Sequence, residues 1–390
     1  MHPDSTPALT AVHDDTGRLE RLLGGFAMTH SIYAAAKLGI ADLLDTGPRT
    51  AEELAGLAGV HAPSLHRLLR ALASVGVFTE TAPATFALTP TAERLRTGAP
   101  ESLRAWAIVT GEIVARSFGE LMHSLHTGQP AFESVFGMPI FEYLAGHPET
   151  AAAFDGHQAQ GGRALHAAVA RSLDFDANET IIDLGGGNGS LAAAILERHP
   201  ELHAAIFDLP HLIGRAQATA DAALNTRCEF IAGSFFDNVP PGADAYLLSR
   251  VLHDWDDHQA AAILANCRRA MRTDARLLVI ERIVPPGDQP HESKFMDLNM
   301  LVIAGGRERT EPEYRALLER TGFQLDRVID TGTAVSVLEA TPQNKNNPRR
   351  AAMSDVMRTP SVTANHPTRP MTAGAPRRST APSLINGRDR

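Results

Sequence analysis

Two groups of residues in this sequence could do chemistry. The first is the run Asp183-Leu184-Gly185-Gly186-Gly187-Asn188-Gly189-Ser190. Glycines let a backbone approach a ligand closely and present amide N–H groups where a helix opens, here expected near Leu191. Asp208 stands 19 residues beyond Gly189, close to the spacing of a carboxylate that holds ribose hydroxyls. A plain tight turn is the competing reading, but loop and spaced carboxylate together point to a nucleoside-bearing cofactor. A dinucleotide site wants G-x-G-x-x-G over the pyrophosphate, whereas the pattern here is D-x-G-G-G-x-G. Asp183 would repel phosphate, yet it could orient the ammonium end of S-adenosylmethionine through amides or water. S-adenosylmethionine is therefore the expected cofactor.

The second group centres on His253. An imidazole of ordinary pKa, near 6.5, can take a proton from a bound substrate at neutral pH, an effect typically worth about 10²–10⁴ in rate. Asp254, Asp256, Asp257 and His258 beside it could be read as a metal cluster. Asp256 and Asp257, however, precede a helix through Ala260, Ile263, Leu264 and Cys267, where negative charge is favourable without any ion. No metal is expected, and Asp254 is left to face the acceptor.

The elements that must position these residues begin near Glu179. Short apolar runs at Thr180–Leu184, His203–Asp208, Cys228–Ala232, 244–249 and Arg276–Glu281 alternate with Ala-rich helical stretches. That alternation predicts a parallel, doubly wound sheet. Residues 323–329 and 333–338 flank a tight turn, so they form an antiparallel hairpin that closes the sheet. A parallel sheet ending in an antiparallel strand is the arrangement of methyltransferases rather than of nicotinamide dehydrogenases.

Upstream, apolar residues recur at helical spacing over 19–44, with Ala34-Ala35-Ala36 marking close helix contact and Gly39-Ile40 a corner. Thr50 with Glu53 forms a capping box for a helix over 51–57, and Pro63 opens another over 63–74. A hairpin turning near Pro83 completes a winged-helix outline. Such a unit binds DNA or serves as a dimerising scaffold; Arg67 and Arg70 are the only permanent cations in its second helix, which favours the scaffold. Residues 100–170 read as helical and hold Trp106, Phe118, Phe132, Phe136, Phe141 and Tyr143, either a wall for a planar substrate or ordinary core. Met296, Asn299, Met300 and Ile303 recur at helical spacing, lining an acceptor pocket or packing in the core.

Composition narrows the class. The chain has 390 residues with a net charge of −9. From Thr341 onward nine Lys or Arg stand against Asp355 and Asp389, a surplus of seven positive charges that leaves about −16 on the rest. An acidic body repels nucleic acid. The tail, 342–390, is rich in Pro, Ser, Thr, Asn and Arg, and is expected to be disordered. Cys228 and Cys267 are the only cysteines, too few for a disulfide framework. With no basic-then-apolar leader and no run of about 18 apolar residues, a cytoplasmic, non-membrane protein is expected. The expected domains are 1–100, a winged-helix-like dimerisation domain; 101–170, a helical connector to the acceptor pocket; 171–341, the cofactor domain; and the tail.

With DLGGGNG, the stretches Phe207-Asp208-Leu209-Pro210, Gly233-Ser234-Phe235-Phe236, 251–257 (VLHDWDD) and 305–310 (GGRERT) resemble the plant and bacterial small-molecule O-methyltransferases that act on caffeate, flavonoids and polyketide antibiotics. The resemblance spans about 15–340. It implies a Rossmann-like α/β sheet behind a winged-helix dimerisation domain, a homodimer, and methylation of a phenolic or enolic hydroxyl of a small aromatic acceptor. It implies that Gly185 and Gly187 meet the cofactor, Asp208 its ribose, Ser234 and Phe235 its adenine, and Ser249 the adenine rim. Many relatives carry Asp where Ser234 stands, which weakens the expected bond to the adenine amino group. His253 would be the general base, with Glu281 and Glu308 holding its tautomer and ring; Asp254, Asn299 and Met300 would meet the acceptor. Two rival readings are a decarboxylase or hydroxylase that retains the cofactor site, and a winged-helix DNA-binding regulator.

Overall fold

The computed structural model describes residues 15–100, 102–220 and 222–343. Three strands near the front, β1 (Arg49–Thr50), β2 (Phe78–Ala82) and β3 (Thr85–Leu88), form a small antiparallel sheet in the order β1-β3-β2. Seven follow: β4 (Thr180–Leu184), β5 (His203–Asp208), β6 (Cys228–Ala232), β7 (Ala245–Ser249), β8 (Arg276–Glu281), β9 (Phe323–Asp330) and β10 (Ser336–Pro342). They make one sheet in the order β6-β5-β4-β7-β8-β10-β9.

The front unit forms as the local signals direct. Thr50 Oγ1 accepts from Glu53 N at 3.2 Å while Glu53 Oε2 accepts from Thr50 N at 2.8 Å, so two orphan amides at the start of helix Ala51–Ala58 are satisfied reciprocally. Helix Ala62–Ser74 starts with Pro63 in its first turn and buries Leu65, Leu69 and Leu72. Ala35 and Ala36 are 1% exposed, and Gly39 takes the left-handed conformation that turns the chain at the end of helix Gly25–Lys37. Leu19, Leu22, Leu23 and Phe26 remain exposed.

In the large sheet β4, β5, β7 and β8 run parallel. Covered by helices on both faces, they carry nearly unbroken apolar sequence: Ile181, Leu184, Leu247, Leu248 and Leu277 are all fully buried. β10 runs antiparallel to both β8 and β9, with Ser336 opposite Glu281. Strand β9 sits at the edge, burying Phe323 and Leu325 while exposing Gln324, Asp326 and Arg327, which blunts the open edge with charge. The strand order reverses between β4 and β7. Ligands in open α/β sheets bind at that switch point, beyond the carboxyl ends of the strands, and Leu184, Asp208, Ser249 and Glu281 end four strands there.

Helices spanning 104–172 bring Ile113, Phe132 and Ile140 against Val302 and Ile303 of helix Glu292–Ile303. Phe132 and Phe136 stack at 4.4 Å, and Tyr143 meets both edge-on. Phe132 and Ile303 are buried in this cluster, and Phe136 and Tyr143 pack partly buried against it. Phe141 is half exposed and belongs to no core cluster. Among the described residues no helix is long and apolar enough to cross a membrane. Residues 344–390, and with them nearly all of the expected disordered tail, lie outside the described residues.

Candidate active site

The glycine loop opens where β4 stops. Gly185 N donates to Phe207 O at 2.8 Å, and helix Ser190–Arg198 starts at Ser190, one residue before its expected position. A Cβ on Gly187 would meet nothing within 4 Å, and its φ of +55° suits glycine. Its bare backbone therefore faces open space. Asp208 Oδ2 accepts from Gly187 N at 2.9 Å and Oδ1 from Leu209 N at 2.7 Å. Burial raises the Asp208 pKa, while those two amides and His211 oppose the rise.

Asp183 departs from expectation. It is 1% exposed, neither carboxylate oxygen accepts a hydrogen bond, and a Cβ on Gly186 would lie 2.9 Å from its carboxyl carbon. Sealed under the loop, it cannot reach a ligand directly and acts through its field. Burial, reinforced by the charge of Asp208, pushes its pKa up to about 7. A nearby cation would restore its charged form.

The Ser234–Phe235–Phe236 turn forms one wall. Ser234 Oγ accepts from Phe236 N at 3.2 Å. Phe235 lies 3.5 Å from where a Gly185 Cβ would stand and meets Trp255 edge-on at 6.2 Å. Asn266, which the sequence reading passed over, donates from Nδ2 to Phe235 O at 2.7 Å and to Phe236 O at 2.8 Å. Ser249 ends β7 half-buried. Open space above Gly187, a carboxylate tied to the loop, an apolar ring wall and an orphaned buried anion fit a cationic nucleoside such as S-adenosylmethionine.

His253 lies across the switch point. Arg250 takes φ +55° after β7, and Leu252–Asp254 then form one 3₁₀ turn that buries the imidazole. Three segments converge on it. Glu281 Oε1 accepts from Leu252 N at 2.8 Å and His253 N at 3.3 Å. Glu308 Oε1 lies 3.0 Å from His253 Nδ1; a carboxylate can only accept, so Nδ1 carries the hydrogen and Nε2 is the basic atom. Asp254 Oδ1 lies 3.5 Å from Nε2, so it faces the imidazole, with 28% of its side chain exposed.

Loop 305–310 locks this arrangement. Arg307 N donates to His253 O at 2.8 Å, and Glu308 N donates to Asp297 Oδ1 at 2.9 Å. Arg309, 1% exposed, donates to Leu252 O, Trp255 O and Asp257 Oδ1 at 2.9, 3.0 and 2.9 Å. Asp297 and Arg309 were not singled out in the sequence. Their only signal was, for Arg309, membership of the GGRERT stretch.

The electrostatics correct one expectation. Burial alone would lower the His253 pKa, but Glu281, Asp254 and Glu308 outweigh it and hold the group at about 9 rather than near 6.5. In the ligand-free protein the imidazole is therefore protonated at neutral pH. Burial raises the pKa of Glu281, opposed by His253, and that of Asp254, opposed by His253 and Arg250. Arg250 itself is lowered, by burial and by Arg282.

The neighbouring acids are occupied structurally. Asp256 caps helix Asp257–Ala270 by accepting from Gln259 N at 2.7 Å, and Asp257 pairs with Arg309 at 2.9 Å. In helix Glu292–Ile303, Met300 is buried, while Asn299 is half-buried and its Nδ2 lies 3.8 Å from Met296 Sδ.

A seven-stranded sheet with its antiparallel hairpin, the glycine loop and the cation-compatible cradle at the switch point define an S-adenosylmethionine-dependent methyltransferase. The chain belongs to the O-methyltransferase family: the O-methyltransferase domain matches over 118–324 and the O-methyltransferase dimerisation domain over 20–98. It is 44% identical to a phenazine O-methyltransferase of Lysobacter antibioticus, across 83% of this chain and 95% of that protein. It is 40% identical to a 3-amino-4-hydroxybenzoate 4-O-methyltransferase of Streptomyces cremeus, across 86% and 92%. Among solved structures, an O-methyltransferase from neocarzinostatin biosynthesis in complex with S-adenosylmethionine and 2-hydroxy-5-methyl naphthoic acid superposes with a TM-score of 0.74 at 35% identity, covering 87% of this chain and 100% of that one.

Proposed function

We propose that the enzyme methylates a phenolic or enolic hydroxyl of a small aromatic secondary metabolite, with His253 as general base. The observation that carries this reading is the 3.0 Å contact of Glu308 with His253 Nδ1, which leaves Nε2 as the atom that takes the acceptor's proton. Bound S-adenosylmethionine supplies an electrophilic methyl group. Gly185, Gly187, Asp208, Ser234, Phe235 and Ser249 hold the cofactor, Glu281 and Glu308 fix the imidazole, and Asp254, Asn299 and Met300 border the acceptor. Alignment of acceptor and methyl supplies most of the acceleration, with base assistance added. No metal enters the reading, which assigns Glu281, accepting from the amides of Leu252 and His253, and Glu308, against His253 Nδ1, to holding the imidazole. The acceptor class finds support in the aromatic substrates named for the relatives.

The assembly we infer is a homodimer, in which exposed Leu19, Leu22, Leu23 and Phe26 find cover that one subunit does not provide. The expected domain limits, 1–100, 101–170, 171–341 and the 342–390 tail, belong to the same reading. So do a cytoplasmic location and the absence of a nucleic-acid partner, which the acidic body supports. Incubating the enzyme with methyl-labelled S-adenosylmethionine and a panel of phenols, hydroxynaphthoates and hydroxyphenazines tests the activity: label should appear on an acceptor oxygen. Label on no panel member, with cofactor binding intact, would point to the decarboxylase or hydroxylase alternative.

A further inference from the structure

His253 poses a difficulty for any base: the carboxylates that orient it also hold a proton on it. Three acids face the imidazole, Asp254 from its own turn, Glu281 from the end of β8 and Glu308 from loop 305–310; of the cations near them, Arg250 feels the charges of Asp254, Glu281, Glu308 and Arg282, and Arg309 donates to Leu252 O. Arg282 lies 3.7 Å from Glu292, and Arg309 pairs with Asp257, so both have anionic partners elsewhere. That leaves three acids against Arg250 and the imidazole. Glu281 Oε2 and Glu308 Oε2 are buried and accept no hydrogen bond, an arrangement that favours positive charge between them.

We propose that the proton taken from the acceptor stays on His253 Nε2 after turnover and leaves only when the next S-adenosylmethionine binds, so that the base is free only in the cofactor-loaded enzyme. This rests on the base reading above. The charge balance is simple. Before transfer the site holds a sulfonium and a neutral imidazole; afterwards it holds a neutral thioether and an imidazolium, the acceptor O–H having broken, its oxygen having gained the methyl group, and its proton having moved to Nε2. The positive charge at the site is one in both states. A new sulfonium arriving beside the imidazolium would make it two. The pKa of about 9 in the ligand-free protein accords with an imidazolium resting state, and a unit charge beyond the acceptor oxygen lowers imidazole proton affinity by on the order of tenfold to a hundredfold. Asp254, with 28% of its side chain exposed against 6% for His253, offers the exit route, from Nε2 to Oδ1 to solvent.

Calorimetric titration at pH 7.5 in phosphate and in Tris, whose ionisation heats differ widely, counts the protons exchanged on binding. S-adenosylmethionine should release about 0.2–0.7 proton per site, as a pKa lowered tenfold to a hundredfold from about 9 requires at pH 7.5, and S-adenosylhomocysteine close to none; both share the same amino-acid end, so its contribution cancels in the difference. His253→Gln should abolish the difference, and Glu308→Gln, which removes the carboxylate 3.0 Å from Nδ1, should shrink it. Equal release by the two ligands, or a difference that persists in His253→Gln, would overturn the proposal. Turnover separates it from the base reading: if His253→Gln loses activity while the wild type shows no difference in proton release, the base stands and the stored proton falls.

Discussion

The backbone of Gly306 lies directly on the carbonyl of His253: a Cβ at Gly306 would come within 2.0 Å of His253 O and 2.8 Å of Asp254 Cα. Both obstacles are backbone, so no side chain can move aside to make room. Gly306→Ala should shift the His253 turn away from the switch point and lower kcat by at least tenfold. Affinity for S-adenosylmethionine, measured by calorimetry, should change less than threefold, because the glycine loop is not touched. Unchanged kcat would show that the proximity of loop 305–310 to His253 has no catalytic consequence.

Arg309 gives a second test of the same lock. Its guanidinium satisfies Leu252 O, Trp255 O and Asp257 from a site 1% exposed. Arg309→Met keeps the bulk but takes the donor from Trp255 O and leaves Leu252 O only the long 3.4 Å bond from Trp255 N, at a cost of about 1–3 kcal/mol. Thermal unfolding should show a fall in Tm of several degrees, and Arg309→Lys, a point donor in place of a fork, should recover only part of it. A Tm within one degree of wild type would remove Arg309 from the account.

For the cofactor loop, Gly187→Ala and Asp208→Ala probe different terms. A methyl at Gly187 meets no protein atom within 4 Å, so the protein should fold with only the roughly 1–2 kcal/mol strain of a left-handed alanine, while S-adenosylmethionine binds at least tenfold more weakly. Asp208→Ala removes an acceptor from Gly187 N and from ribose, a loss of about 1.5–3 kcal/mol in binding. Calorimetry showing wild-type affinity in a folded Asp208→Ala protein would sink the ribose assignment.

Asp183 predicts a pH dependence. Its folded pKa, up to about 7 through burial and the nearby Asp208, exceeds its unfolded value. Its protonated form is therefore favoured, and the associated stability is present below about pH 4 and lost as pH rises through about 7. Asp183→Asn should raise the Tm of the ligand-free enzyme, more at pH 8 than at pH 5, while weakening binding of the cationic cofactor more than of S-adenosylhomocysteine. Equal Tm changes at both pH values would contradict a buried, titrating carboxyl.

Much of this was legible in the sequence, and the limits of legibility are physical. The runs Thr180–Leu184, His203–Asp208 and Arg276–Glu281 appear residue for residue as strands, because doubly covered strands have no polar alternation to blur their ends; Cys228–Ala232 does so too, at the sheet's edge and only half-buried. The Thr50–Glu53 capping box and the Gly39 corner are local signals with local outcomes. His253, Glu281 and Glu308 could be grouped because each stands at a strand end or in a motif loop. Electrostatics could not be read in the same way: His253 and Glu308 are 55 residues apart in the chain yet 3.0 Å apart in space, and only that convergence moves the imidazole to about 9. Arg309, Asp297 and Asn266 hold backbone rather than ligand, and a buried brace of this kind leaves no periodicity in the sequence.

The most direct test of the central claim is kcat of His253→Ala on the acceptor found with labelled cofactor, measured from pH 6 to 10 beside the wild type. At neutral pH it should fall by about 10²–10⁴, with affinity for S-adenosylmethionine nearly intact. The rate should recover toward the phenol's own pKa, near 10, where phenolate forms without a base. Near wild-type kcat across pH 6 to 8 would contradict the account: the acceptor would then ionise without His253, and the enzyme would work by alignment alone.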